Sequence, residues 1–124
     1  MAIDINHFLK IRAAYGLKAI ERSGTVITES GLVRRDNPAE HSWSAMVLAD
    51  YLMSQFDLGL DRLKVFELVM YHDFVEIKCG DVCISDIEAR RKKAQEEMIA
   101  AVEFRDEFGG DYGKKFYSLF LEFE

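Results

Sequence analysis

One proline, two cysteines and three histidines occur in 124 residues. Each scarcity excludes something. With so little proline, and with eight glycines placed mostly at apparent breaks, the chain lacks the dense turn signals of a many-stranded sandwich and reads as helical. Cys79 and Cys83 are too few for a secreted disulfide scaffold. Their spacing permits one local bridge, but reduced thiols in a cytoplasmic protein are the expected state. No apolar run approaches the ~18 residues of a membrane span. Asp4 stands where a leader would place basic and then apolar residues, so no membrane association is expected. Positive charge is also short. Lys and Arg number 16 against 22 Asp and Glu, for a net charge of −6. That balance argues against a nucleic-acid partner, although a local basic pocket remains compatible with it.

What is present suits one folded domain. Hydrophobic residues make up 49% of the chain, enough for a core and too many for disorder. The length fits a single domain.

Helical spacing organises the rest. Asp4 to Glu21 carries a stripe of Phe8, Ile11 and Tyr15 and ends near Ser23-Gly24. Thr25 to Asp36 is irregular, with a Ser30-Gly31 turn signal. Asn37 as N-cap, Pro38 at the first helical position and Glu40 as capping-box partner start a second helix reaching about Phe56. Its inward face is expected to be Ala45, Leu48, Leu52 and Phe56, with His41 at the N-terminal end of that row. Asp61 caps a third helix that runs to about Cys79 and stops at Gly80. Ser85 and Glu88 open a fourth, charged helix to about Phe108, and Tyr112 to Glu124 forms a fifth. No strand is expected. The basic run Arg90-Arg91-Lys92-Lys93 is interleaved with Glu88, Glu96 and Glu97 at i,i+4 spacing, the pattern of a salt-bridged solvent face. Phe116, Phe120 and Phe123 read either as a partner surface or as core.

Chemistry concentrates in His41, His72, Asp73, Glu76 and Asp81. Inward histidines on successive antiparallel helices can converge across a bundle. His72 and Asp73 are adjacent, so a metal beside that ridge can take one ligand from each while His41 reaches from the facing helix. Imidazole with carboxylate suits Mn, Fe, Co, Ni or Zn. A cation there would acidify a water and so supply a nucleophile at neutral pH. Glu76, one turn beyond His72, suits a general acid or base. Asp81 can hold a water or a second cation. On spacing alone, an inward histidine is more often a hydrogen-bonded core residue than a ligand. His7 lies outside this pattern and reads as filler.

Taken together, Pro38-Ala39-Glu40-His41-Ser42-Trp43, Tyr71-His72-Asp73-Phe74-Val75-Glu76 and Gly80-Asp81 resemble the HD-domain phosphohydrolases, and more closely their 5′-deoxynucleotidase branch. Leu17 to Gly24 resembles that family's arginine-containing segment. The resemblance implies an all-α HD-domain bundle of about five helices. It implies that His41, His72 and Asp73 ligate a divalent metal, with Mn, Co, Mg, Fe, Ni and Zn all open. It further implies that Glu76 takes part in proton transfer, that Asp81 supports substrate or water, and that Arg22 faces the nucleotide. Guanidinium is suited to phosphate, which it binds bidentately.

Two departures from the family pattern stand out. Leu119 to Glu124 resembles the helix just before the family's final ligand aspartate, and Asp106 and Asp111 lie too early to replace it. Residues 1–124 are thus expected to be one HD domain, either C-terminally incomplete or working with three protein ligands. Ser23, Gly24 and Thr25 also stand where relatives often carry a tryptophan that bears on sugar choice. The resulting expectation is a cytoplasmic, homodimeric metal-dependent phosphomonoesterase of nucleoside 5′-monophosphates, with deoxyribonucleotides first. Its rivals are an HD hydrolase of another phosphate ester and a non-catalytic dimeric nucleotide-binding module.

Overall fold

The computed structural model describes residues 2–22, 25–80 and 87–124. Asp81, Cys83 and the Ser85 half of the expected capping box lie outside the described residues. Helix dominates, as expected. The elements are α1 (Ile5–Ile11), a 3₁₀ helix (Arg12–Ala19), strands β1 (Thr25–Ile27) and β2 (Val33–Arg35), then α2 (Pro38–Gln55), α3 (Arg62–Tyr71), α4 (Glu76–Cys79), α5 (Ile87–Phe108) and α6 (Gly110–Phe123).

The helix starts follow local chemistry. The Asn37 side chain accepts the Glu40 N–H at 3.0 Å, which fixes the first turn of α2. Asp61 accepts the Lys64 N–H at 3.2 Å and starts α3. His7 is more than filler, since its Nδ1 accepts the Asp4 N–H at 3.0 Å and completes the cap of α1. The expected first helix is divided, α-helical to Ile11 and 3₁₀ from Arg12. The expected third helix is divided as well. After Tyr71 the i→i+4 ladder gives way to i→i+3 bonds, Phe74 N–H to the Tyr71 carbonyl and Glu76 N–H to the Asp73 carbonyl. The break falls on the His72-Asp73 pair.

The segment expected to be irregular is a hairpin. β1 pairs antiparallel with β2 in the register Thr25 with Arg35, Val26 with Arg34 and Ile27 with Val33. Beyond the paired residues the Arg22 N–H still reaches the Asp36 carbonyl at 3.0 Å. The hairpin therefore brings Arg22 to the start of α2.

Phe74, Val75, Ala100, Ala101, Phe104, Phe116 and Phe120 form the buried core, where the α3–α4 turn packs on α5 and α6. Aromatic rings meet edge-on there, Phe74 on Phe104 at 5.0 Å and Phe104 on Phe116 at 5.8 Å between centroids. Of the α6 aromatics, Phe116 and Phe120 are thus core, whereas Phe123 is half exposed. Gly109, in the left-handed region at φ 65°, turns the chain from α5 into α6. Gly113 then sits so close to α5 that a β-carbon would run into the Arg105 carbonyl oxygen.

The expected inward face of α2 needs correction. Ala45 is half-buried, but Leu48, Leu52 and Phe56 are exposed. Among the described elements α2 packs on α3 and the 3₁₀ helix, and the row it turns inward is Ser42, Ala45, Met46, Ala49 and Met53, rotated from the expected one. Lys93 and Glu97 do pair, at 3.5 Å, on α5.

Candidate metal centre

Two stretches of chain deliver the candidate ligands. His41 lies in the first turn of α2, its N–H bonded to the Asn37 carbonyl at 3.1 Å. The Asn37-Pro38-Glu40 start therefore also sets where His41 stands. His72 and Asp73 sit between two anchors. Tyr71 packs its ring on Phe74 and Phe116, and its hydroxyl meets that of Tyr112 at 2.9 Å. Phe74 and Val75 enter the core directly. With both neighbours held, the His-Asp pair has little freedom of its own.

One ligand atom each from His41, His72 and Asp73 lie within 4.8 Å of one another. The two imidazoles stand 5.5 Å apart between centroids. His72 Nδ1 lies 2.6 Å from the Val69 carbonyl, so it carries the proton and donates it. That leaves Nε2, 3.0 Å from Asp73 Oδ2, as the second functional edge of the ring. In a neutral imidazole that edge is a lone pair facing a carboxylate, and the contact is favourable only with a cation or a proton between them. A histidine whose far nitrogen is tied to a backbone carbonyl is the usual arrangement of a metal ligand. The donor set therefore fits a divalent cation.

The electrostatics agree. Burial disfavours the His72 imidazolium, but the hydrogen bonds to Asp73 and the Val69 carbonyl outweigh it and raise the pKa above its ordinary value. Burial likewise pushes the Asp73 carboxyl up. The bond and charge of His72, with Arg22 and His41, more than offset this and hold it below the usual range. Asp73 is thus kept ionised and ready to ligate.

Arg22 stands at this cluster. Its guanidinium reaches Asp73 Oδ2 at 3.2 Å and lies 3.5 Å from Asp36 Oδ1. Glu76 is buried at the start of α4, and its charge acts on His72. The structure accordingly brings His41, His72, Asp73 and Arg22 together, with Glu76 in electrostatic reach, while Asp81 falls outside the described residues.

Three neighbours carry no clear mark in the sequence. Asp36 accepts the Arg22 N–H at its carbonyl and stands at ion-pair distance from its guanidinium, and only the hairpin register could have indicated it. Phe123 lays its ring 5.3 Å from that of His72. Glu97, expected on a solvated face, has a side chain only 17% exposed. Burial raises its carboxyl, Lys93 opposes the rise, and Glu124 and Asp73 add to it. Its i,i+4 charge pattern is that of a surface pair, so the sequence carried no signal of burial.

Comparison with known proteins agrees with this geometry. The chain is similar to a 5′-deoxynucleotidase HDDC2 of Dictyostelium discoideum, 25% identical over 113 residues that cover 87% of this chain and 58% of the relative. Its fold resembles the 1.37 Å crystal structure of a predicted metal-dependent phosphohydrolase from Magnetospirillum magnetotacticum MS-1. The TM-score is 0.75 at 27% identity, over 93% of this chain and 57% of the other. The chain thus spans somewhat over half the length of these relatives. The family model of the HD domain matches residues 14–124, a span holding every candidate ligand, and the chain belongs to the HD domain family.

Proposed function

We propose that the protein is a metal-dependent phosphomonoesterase that releases phosphate from nucleoside 5′-monophosphates, deoxyribonucleotides first. The observation that carries this reading is the convergence of His41, His72 and Asp73 ligand atoms within 4.8 Å, with Arg22 on Asp73. The 5′-deoxynucleotidase name of one relative supports the substrate class. His41, His72 and Asp73 would hold a divalent cation, which supplies positive charge to the phosphoryl group and acidifies a water.

This chain's own residues do the rest. Arg22 pairs with phosphate oxygens as negative charge develops on them. Asp36 keeps the guanidinium aimed at the cluster. Glu76 moves the proton: it takes one from the attacking water and returns one to the departing 5′ oxygen. The water oxygen bonds to phosphorus, the bond from phosphorus to the ester oxygen breaks, and nucleoside and inorganic phosphate leave. Asp81 orients water or substrate in this scheme. Residues 1–124 act as one HD domain.

We further take the protein as cytoplasmic, and no described helix is long and apolar enough to cross a membrane. We take it as a homodimer, for which the exposed Val47, Leu48, Tyr51 and Leu52 of α2 offer an apolar surface. Light scattering tests that point. Phosphate release from a panel of nucleotides and other phosphate esters, with added Mn, Co or Mg, tests the activity. Release from nucleoside monophosphates is expected. Release from none of the panel with any metal would refute the enzyme reading, and preference for a non-nucleotide ester would replace the substrate class.

A further inference from the structure

A cavity of about 700 Å³ opens beside the ligand cluster, within the ~300–1,000 Å³ typical of small-molecule sites. His41 belongs both to its wall and to the candidate metal centre. Asp36, which fastens Arg22, lines it too, so the cavity adjoins the place where phosphate would bind. Trp43 forms part of the same wall and is 65% exposed. It is the one tryptophan of the chain. Exposing so large an aromatic surface to water is costly, and the indole sits two residues from a ligand, beside polar Lys18 and Ser44.

Charge decides what the cavity takes. Its wall carries Lys18 and Arg34 against Asp36 and Glu40, with no net charge. Arg34 is bonded to Glu40 at 2.8 Å and is occupied. With Asp36 engaged by Arg22, Lys18 is the cation left over on this wall, a single point charge short of the donor set that holds a phosphate. The wall suits a flat, neutral, hydrogen-bonding ring laid against indole.

We propose that Trp43 is the stacking platform for the nucleobase of the substrate, and that this cavity is the base subsite. The inference deepens the nucleotide phosphomonoesterase reading and rests on it. It makes the base, through Trp43, a source of binding energy that a base-free sugar phosphate cannot use.

The single tryptophan makes the test direct. With the metal-loaded protein, emission excited at the red edge of indole absorption is followed during titration with the non-hydrolysable 5′-methylenephosphonate of deoxyadenosine, and separately with deoxyribose 5-phosphate. Saturable quenching by the nucleotide analogue, and none by the sugar phosphate, is expected. In parallel, KM is measured for deoxyadenosine 5′-monophosphate and deoxyribose 5-phosphate. The preference for the nucleotide should fall roughly ten-fold or more in Trp43→Ala, the loss of one base–aromatic stack, and return in Trp43→Phe. The exposure of Trp43 makes both variants tolerable to the fold. Equal emission changes with both ligands, or none with either, overturns the inference, as does a substrate preference unmoved in Trp43→Ala. If nucleotide and sugar phosphate are hydrolysed with equal KM while emission stays constant, the stack is refuted and the phosphomonoesterase reading stands. If neither is hydrolysed, that reading falls, while the emission titration still reports independently on base binding.

Discussion

Replacing Arg22 by alanine should separate metal binding from catalysis. The guanidinium contacts Asp73 Oδ2 at 3.2 Å, and Asp73 is a candidate ligand, so arginine and metal compete for one carboxylate. At that distance the attraction is about 1 kcal/mol with the dielectric of water and about 5 kcal/mol at an effective value near 20. The two side chains are 23% and 16% exposed, which places screening between those limits. After desolvation the net worth of such a pair is about 1 kcal/mol. Removing it relieves the competition and also removes a positive charge beside the cation. Metal affinity in Arg22→Ala should therefore hold or rise, by up to about five-fold. Turnover should move the other way. Losing one charged donor to a developing phosphoryl charge should lower kcat/KM by about 10²–10³. Titration calorimetry with Mn or Co reads the first quantity and phosphate release the second. An Arg22→Ala protein that loses metal as severely as His72→Ala would refute the reasoning, because arginine would then be building the site rather than competing in it.

Other consequences follow from the same contacts. Gly113→Ala must push α6 off the Arg105 carbonyl, and neither backbone can yield cheaply. The expected loss is about 1–3 kcal/mol, read as a lower urea midpoint. An unchanged midpoint would contradict the close approach of α5 and α6. Acid should weaken metal binding, because the raised His72 pKa favours a proton over the metal. Calorimetry across pH should show affinity falling from above the ordinary histidine value of about 6.5 downwards. The metal-free protein should show the opposite trend. His72 contributes its stabilisation fully below its unfolded pKa and loses it as pH rises through the raised folded value. Asp73 contributes above its unfolded pKa, and its share is lost only as pH falls through the depressed folded value. A Tm of metal-free His72→Asn with the same pH dependence as the parent would refute this assignment.

The parts of the site that were legible in the sequence are those set by local chemistry. Asn37, Pro38 and Glu40 fix the start of α2, and that start fixes His41. The adjacency of His72 and Asp73 needs no tertiary information, and the aromatic residues around them form the core that anchors them. What was not legible depends on long-range placement. Strands of three residues are too short to show alternation, so the hairpin that carries Arg22 to Asp36 was hidden in an irregular stretch. The Lys93 and Glu97 pair has the spacing of a surface salt bridge, and only the packing of α5 shows that Glu97 is enclosed. The apolar row of Leu48, Leu52 and Phe56 reads as inward because periodicity reports which face is apolar, not whether anything covers it. The divided third helix has a similar origin. Its apolar spacing stays helical across the break, and the switch to i→i+3 bonds at Phe74 arises where the chain turns into the aromatic core.

Everything proposed for the site depends on His41, His72 and Asp73 acting together on one cation. The most direct test is the stoichiometry of Mn or Co binding, measured by calorimetry and metal analysis on the parent and on the single variants His41→Ala, His72→Ala and Asp73→Asn. One ion per chain in the parent, and loss of binding in each variant with helical content unchanged, is the predicted result. Parent-like binding in any of the three would place the cation elsewhere and contradict the shared-ligand site.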